Sequence, residues 1–290
     1  MQNGKIWAPL AFCILILPSQ FPMYTFIKLG GSVITDKAGK EAPDLPVIAR
    51  LAAELRAACI ADSSLRLVVG HGSGSFGHHY AAQYGIHKGL APNADWFGFA
   101  RTAAAALRLN RIVVDALIEA ELPAFALQPS ASLVANGGAL VSWYTAPIGQ
   151  ALAQRLVPII HGDVAFDTLQ GSAIISTEAL LAHLALHSPL RPARVILVGE
   201  DAVYTADPRS NPQAERIALI TGANLAAVLS GTSGSHGIDV TGGMRSKLEL
   251  MWRLVQAISG LEVQLIGPQP GRLQAALSGQ PLDSGTMIRL

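Results

Sequence analysis

A glycine-rich segment, Gly70–His78 (GHGSGSFGH), directly follows the largely apolar run Leu65–Val69. Glycines at the end of a strand let backbone N–H groups approach and surround an anion, since no side chain holds the anion away. His78 adds a side-chain donor that can hold a second anionic group. The segment therefore indicates a site for phosphate chemistry.

Two lysines accompany similar glycine turns elsewhere in the chain. Lys28 lies within the apolar run Tyr24–Leu29, directly before the turn Gly30–Ser32. Burying a lysine is costly unless it meets an anion, so a phosphate ligand is favoured over an ion-paired strand residue. Lys247 lies just over one turn into a helix predicted over 242–258, and a helix N-terminus with a lysine is an anion site. Together these features indicate a bound triphosphate.

Two better-known phosphate motifs fit the chain poorly. Residues 72–77 match the dinucleotide pattern G-x-G-x-x-G, but no acidic residue ends the next strand, and Asp95 opens a helix. The P-loop pattern G-x-x-x-x-G-K-[ST] is absent from the sequence. Lys37, in a polar loop, would by itself be read as a surface lysine. These patterns argue against a dehydrogenase and a P-loop kinase.

The elements that must position these residues alternate between strand and helix. Apolar strands are predicted at about 24–29, 66–69, 124–127, 140–144, 157–160, 194–198, 262–266 and 287–288, and helices at about 45–61, 95–121, 148–156, 177–187, 225–229 and 242–258; Phe166–Thr168 is predicted to form a turn. This pattern predicts an α/β fold, a three-layer α/β/α sandwich with a mainly parallel central sheet. Because ligands bind at the carboxyl ends of such strands, the polar turns at 28–32, 70–78 and 161–163 should converge on one site.

Composition limits the other classes of function. The 290 residues are 50% hydrophobic and 14% charged with a net charge of +1, which is typical of a well-filled core. We expect no nucleic-acid partner and no membrane association, since there is neither a basic balance nor a basic amphipathic stretch. Cys13 and Cys59 lack the neighbouring residues of a metal-binding or redox motif. His183 and His187 are interpreted as lying on one face of a helix. We therefore predict no protein-ligated metal site.

The first 22 residues carry an apolar run, Ile6–Leu17, behind Lys5. The run resembles a secretory signal peptide without a small-x-small cleavage site, and it is short for a transmembrane helix. We expect a start assigned too early, with Met23 as the first residue, or alternatively a leader. Residues 23–290 are predicted to form one domain.

An ordered set of motifs from about Tyr24 to the C-terminus resembles the amino acid kinase superfamily. The motifs are KLGGS at 28–32, the glycine-rich segment, Gly162-Asp163, VYTADP at 203–208, and DVTGGM at 239–244 followed by Lys247. Within that superfamily, SFGH at 75–78, YGIHKG at 84–89, Leu109-Asn110 and HGDV at 161–164 are similar to the isopentenyl phosphate kinases.

The resemblance implies transfer of a phosphoryl group from ATP to isopentenyl phosphate, giving isopentenyl diphosphate and ADP, with Mg²⁺ held mostly by phosphate and water. It implies catalytic roles for Lys28, Lys37, Lys247 and Glu178. It implies ATP contacts from Lys28, Gly30, Gly31, Ser32, Gly74, Gly243 and Lys247, and acceptor contacts from Ser73, His78 and Gly162. We also expect a cytoplasmic homodimer, with acceptor binding and dimerisation in about 23–188 and nucleotide binding in about 189–290.

Some positions depart from the family pattern. Ser73 stands where glycine or alanine is usual, and His79 where proline is common, so only His78 has the matching position. Glu178 replaces an aspartate that orients the lysines. A kinase for another acceptor, such as fosfomycin, and a non-catalytic nucleotide-binding protein are the alternatives. Amino-acid acceptors would leave His78 without a role.

Overall fold

The computed structural model describes residues 23–36, 38–208, 210–231, 243–280 and 283–290. Its strands are β1 (Tyr24–Leu29), β2 (Arg66–His71), β3 (Ala124–Ala126), β4 (Leu133–Asn136), β5 (Ala139–Trp143), β6 (Val157–His161), β7 (Asp163–Asp167), β8 (Gly171–Ile175), β9 (Pro192–Val198), β10 (Val203–Tyr204), β11 (Arg216–Ile217), β12 (Leu219–Ile220), β13 (Glu262–Ile266) and β14 (Thr286–Ile288). Its α-helices are α1 (Gly31–Ile34), α2 (Leu45–Ala61), α3 (Gly74–Gln83), α4 (Phe97–Glu119), α5 (Ala146–Ala153), α6 (Thr177–His187), α7 (Leu225–Gly231), α8 (Gly243–Ala257) and α9 (Arg272–Leu277).

The main sheet has eight strands in the order β12-β14-β13-β9-β1-β2-β6-β3. Its neighbouring strands are parallel, apart from the antiparallel pair β13–β14. Strand β1 lies inside the sheet between β2 and β9, so the turn after Leu29 is flanked by strand ends on both sides. The predicted mainly parallel sheet is confirmed.

Helices cover both faces of this sheet because successive strand residues point to opposite sides. Phe26 belongs to the core that contains Leu180 of α6, whereas Ile27 belongs to the core that contains Leu51 of α2 and Leu109 of α4. All five side chains are almost fully buried, and each such burial stabilises the fold by roughly 1.5–3 kcal/mol. This arrangement confirms the predicted three-layer sandwich.

Helix α2 shows why several elements could be predicted from sequence. The carboxylate of Asp44 accepts a hydrogen bond from the N–H of Val47 at 3.1 Å, and Pro46 occupies the first turn. The helix runs over Leu45–Ala61, as predicted. Helices α4 and α8 lie within two residues of their predicted bounds.

The turn predicted at Phe166–Thr168 lies two residues further along the chain, at 168–170. Phe166 and Asp167 end strand β7, which pairs with β8 in a second sheet of order β5-β4-β7-β8. The chain turns just after them, where the Asp167 carboxylate accepts hydrogen bonds from the N–H groups of Leu169 and Gln170 at 2.9 and 3.0 Å. The aspartate therefore stabilises the turn from the end of the strand.

Some predicted features lie outside the described residues. They are the proposed mis-assigned start or leader at 1–22, Lys37, and residues 239–242 of the DVTGGM motif before α8. Among the helices described, none combines the length and apolar character needed to cross a membrane.

We expect Gly31→Ala to destabilise the fold, because a Cβ at Gly31 would lie 2.5 Å from the backbone nitrogen of Gly74. The expected loss in the free energy of unfolding is roughly 1–3 kcal/mol, measured by urea denaturation. A Cβ at Gly149 in α5 would project into open space. Gly149→Ala is therefore the matched control and should be neutral or slightly stabilising. Equal effects of the two substitutions would contradict the close contact between the two turns.

Candidate active site

Lys28 and Glu178 form an ion pair at the carboxyl end of β1. Lys28 comes two residues after Phe26 in the strand, so both side chains lie on the same face of the sheet, the face covered by α6. Its Nζ donates a hydrogen bond to Glu178 Oε1, and the two side chains are only 15% and 11% exposed. Glu178 stands in the first turn of α6, where the helix dipole favours a carboxylate. The structure thus pairs two of the predicted catalytic residues.

Lys247 also lies close enough to Glu178 to affect the pKa of its carboxylate. Burial acts to raise the pKa of Glu178, but the charges of Lys28 and Lys247 lower it, and the net pKa lies below its ordinary value. The carboxylate is therefore ionised at neutral pH and faces two lysines from distant parts of the chain. Three of the four predicted catalytic residues are brought together, and the fourth, Lys37, lies outside the described residues.

The turns after β1 and β2 are packed directly against each other. A Cβ at Gly74, where φ is +48°, would come within 2.2 Å of Thr35 Oγ1. The Thr35 hydroxyl donates to the carbonyl of Gly31 at 2.7 Å and accepts from the N–H of Ser75 at 3.0 Å. Gly31 and Gly74 are therefore required by backbone approach and conformation, which fits their predicted role as backbone donors to phosphate.

The turn after β6 is tied to the turn after β2 through one carbonyl. The carbonyl of His71 accepts hydrogen bonds from the N–H of Gly162 at 3.0 Å and from Thr177 Oγ1 at 2.7 Å. A Cβ at Gly70 would meet Thr177 Cγ2 at 2.4 Å. Sequence reasoning gave Thr177 no role in the site. The only feature of the sequence that could have pointed to it is its position beside Glu178 at the start of a predicted helix.

Two buried histidines lie beneath these turns. His71 and His161 are register partners in β2 and β6, and their rings stack with centroids 5.6 Å apart. Nδ1 of each ring lies 3.1 Å from the carbonyl oxygen of the next residue, Gly72 or Gly162. Burial lowers the pKa of both to about 4, with the nearby His161 adding to the effect on His71. The neutral rings therefore fix the two glycine carbonyls, and sequence reasoning gave them no role.

The predicted acceptor residues Ser73, His78 and Gly162 line one small cavity. Asp163 also lines it, and burial raises the pKa of Asp163 to about 6. The sequence motif contained Asp163, but no role was predicted for it. His79, in contrast, is exposed and stacks edge-on against Tyr80, with ring centroids 5.3 Å apart.

Part of the lining of this cavity is apolar. Val164 lines the cavity and also belongs to a hydrophobic cluster with Ile86 and Phe99. Phe99 is 9% exposed and stacks on Phe166 with centroids 4.9 Å apart, whereas Phe97 is 57% exposed. Phe99 therefore packs beside the cavity, whereas Phe97 faces solvent.

The predicted ATP-binding residues are spread over the same edge of the sheet. The N–H of Gly30 donates to the carbonyl of Val198 at 2.8 Å, and Gly243, with φ +71°, begins α8. Ser32 lines a cavity of about 530 Å³ together with residues of β9's end and α2, and Lys28 and Lys247 are not part of its lining. Ser32 thus belongs to the turn after β1 and also lines this cavity.

Comparisons with known proteins agree with this geometry. A sequence model of the amino acid kinase family matches residues 23–267. Isopentenyl phosphate kinase of Methanothermobacter thermautotrophicus is 37% identical over 271 residues, covering 90% of this chain and 97% of the relative. The enzyme of the same name from Methanocaldococcus jannaschii is 32% identical over 236 residues, covering 79% of this chain and 86% of the relative. A crystal structure of isopentenyl phosphate kinase superimposes with a TM-score of 0.77 at 33% identity, covering 91% of this chain and 99% of that one.

This chain belongs to the amino acid kinase family. Within that family its sequence and fold are similar to those of the isopentenyl phosphate kinases.

The buried histidines predict a pH dependence of stability. The pKa of His161 is about 4 in the folded chain against an ordinary 6.5, so the unfolded chain binds more protons between these values. Its contribution to stability is complete above about pH 6.5 and is lost as the pH falls toward 4. Over this pH range, we expect the free energy of unfolding to fall by roughly 3 kcal/mol less in His161→Gln than in the unsubstituted protein.

Chemical denaturation at several pH values measures this effect. Asp163, whose pKa shift has the opposite sign, is present in both proteins and cancels from the comparison. Parallel pH profiles for the two proteins would show that His161 is not held neutral.

Proposed function

We propose that this protein transfers the γ-phosphoryl group of ATP to isopentenyl phosphate, giving isopentenyl diphosphate and ADP. The observation that carries the proposal is the position of the cavity lined by Ser73, His78 and Gly162. It opens beside glycine turns that share the carboxyl edge of the sheet with the Lys28–Glu178 pair. The similar relatives named above carry the same activity in their names.

Positioning and charge neutralisation account for the chemistry. An oxygen of the acceptor monophosphate forms a bond to the γ-phosphorus, and the bond from that phosphorus to the β–γ bridging oxygen breaks, so ADP leaves with the electron pair. The attacking oxygen is already anionic near neutral pH, so no general base is required. Lys28 and Lys247, with Lys37, neutralise the charge on the transferring group, and Glu178 holds Lys28 in place.

Backbone groups complete the proposed nucleotide site. The N–H groups of Gly31, Ser32 and Gly74 donate to phosphate oxygens, and Gly243 at the start of α8 contributes the helix dipole. The N–H of Gly30, also predicted to bind ATP, is instead hydrogen-bonded to the Val198 carbonyl. Within the described ranges no three His, Cys, Asp or Glu side chains cluster as metal ligands, and the Glu178 carboxylate is bonded to Lys28. We therefore treat Mg²⁺ as part of the substrate, entering with ATP and held by phosphate oxygens and water.

The wider assignments rest on family likeness. We propose that acceptor binding and dimerisation belong to about 23–188 and nucleotide binding to about 189–290. We also propose a homodimer, which light scattering during gel filtration would test, and a cytoplasmic location, where ATP is available. The cluster around Phe99 is the proposed place of the isoprenoid tail.

A coupled ADP-release assay with an acceptor panel tests the function. We expect turnover with isopentenyl phosphate to exceed turnover with fosfomycin and with N-acetylglutamate, because His78 and the apolar Val164 line the same cavity. Lys28→Ala should lose at least about 100-fold in kcat, since it removes charge from the transferring group. Faster turnover of fosfomycin would assign the site to a different acceptor, and ATP binding without turnover of any acceptor would favour a non-catalytic protein.

His78→Ala should weaken use of the acceptor and spare the nucleotide. Loss of a hydrogen bond to a charged phosphate predicts a rise of about 10-fold or more in KM for isopentenyl phosphate. His79→Ala is the matched control, since His79 is exposed and outside the cavity lining. Unchanged kinetics in His78→Ala, or equal damage from both substitutions, would remove His78 from the acceptor site.

A further inference from the structure

Glu41 has an unusual backbone conformation in the loop that follows α1. Its φ is +49°, in the left-handed region that non-glycine residues seldom occupy. A position that served only to turn the chain would favour glycine or asparagine. The side chain of Glu41 must therefore contribute interactions that offset this conformation.

The Glu41 carboxylate makes three hydrogen bonds. Arg108 of α4 donates through Nε to Oε2 at 2.8 Å and through Nη2 to Oε1 at 2.7 Å. The Tyr80 hydroxyl of α3 donates to Oε1 at 2.7 Å. A two-pronged arginine–carboxylate contact is both strong and orientation-specific. The hydrogen bond from Arg108 holds the pKa of Glu41 below its ordinary value, so the carboxylate stays ionised.

Hydrogen bonds from the backbone also connect the Glu41 loop to the start of α3. The N–H of Glu41 donates to the carbonyl of Ser75 at 3.4 Å, and the N–H of Ala42 donates to Ser75 Oγ at 3.2 Å. Ser75 in turn bonds to Thr35 between the two glycine turns. Tyr80 is 3% exposed and stands two residues after His78 on the same helix. The loop, the glycine turns and helix α3, which carries His78, are thus held as one unit.

We propose that Glu41, through Arg108 and Tyr80, is a positioning residue for phosphoryl transfer: it fixes the loop of residues 38–43 against α3 and so sets where His78 presents the acceptor. The inference rests on the proposed function, because its consequence is measured as catalysis. A misplacement of reacting groups by about 1 Å can cost up to about 100-fold in rate, so this contact should affect kcat more than binding of ATP.

Glu41→Gln tests the proposal because it keeps the shape of the side chain and removes its charge. We expect kcat to fall about 10-fold or more, with KM for ATP changed less than about threefold and the melting temperature within about 4 °C of the unsubstituted protein. The matched control is Asp115→Asn, which breaks another arginine–carboxylate pair on α4, to Arg111, at an exposed position. The control should leave kcat unchanged.

Glu41→Gly separates positioning from turn formation. Glycine suits φ +49° better than glutamate does, so a residue that only shaped the turn would be replaced without loss or with a gain. The proposal expects the same loss of kcat as in Glu41→Gln. Activity of Glu41→Gly equal to or above that of the unsubstituted protein would overturn it.

Non-additivity gives a further criterion, because Glu41 and Arg108 are expected to act as a unit. In an Arg108→Gln background, Glu41→Gln should add less than about twofold to the loss of kcat. Losses that multiply would overturn the proposal. If Glu41→Gln does not fold, Tyr80→Phe removes one of the three hydrogen bonds to Glu41, together with a longer one from Arg101 Nη2 to the Tyr80 hydroxyl at 3.4 Å. It should lower kcat by about two- to fivefold without changing KM for ATP.

Hydrogen exchange separates failure of this proposal from failure of the proposed function. If the unsubstituted protein turns over no acceptor, the function is wrong, yet the amides of residues 41 and 42 should still exchange faster in Glu41→Gln than in Asp115→Asn. Unchanged exchange at these amides would show that the carboxylate does not hold the loop, whatever the enzyme's activity.

Discussion

The site depends on a charge placed inside the central sheet. Lys28 stands in β1, which is flanked by β2 and β9, and its ammonium group must find an anion there. In the protein without ligand that anion is Glu178, held at the start of α6. Removing one partner of such a pair leaves an uncompensated charge and costs about 3–5 kcal/mol. The position of α6 over β1 is therefore a condition for folding and, in the proposed function, for catalysis.

The glycine turns follow from the same geometry. If the lysine is to meet a phosphate at the end of β1, the backbones after β1, β2 and β6 must approach one another closely. Gly31, Gly74 and Gly70 sit where a Cβ would meet backbone or a fixed side chain. The neutral pair His71 and His161 fixes the carbonyls beneath two of these turns. Small residues and buried rings thus surround the place where the proposed function puts two phosphates.

Much of this arrangement could be predicted because its signals are local. The helix that begins after Asp44 carries its own cap and proline, and the apolar β1 run contains its lysine, so both could be read from adjacent residues. The convergence of the three turns follows from the rule for parallel sheets. Helix α3 was missed because its glycines and serines are poor helix formers, and packing against α4 decides its conformation.

The contacts that join distant parts of the chain could not be predicted in this way. Glu41 and Arg108 are 67 positions apart, and Thr177 and His71 are 106 apart, so no periodicity or spacing relates them. Their pairing depends on how helices α3, α4 and α6 are placed on the sheet. The same holds for Asp163, whose place in the acceptor cavity depends on the path of β7 after the turn at Gly162.

The central claim is that the acceptor is itself a phosphate and that a new phosphorus–oxygen–phosphorus bond is formed. Phosphorus-31 NMR of the protein with magnesium-ATP and isopentenyl phosphate observes this bond directly. The account predicts that the single monophosphate resonance disappears while two mutually coupled diphosphate resonances and those of ADP grow in equal amounts. Release of ADP with inorganic phosphate, and with the monophosphate resonance unchanged, would contradict it.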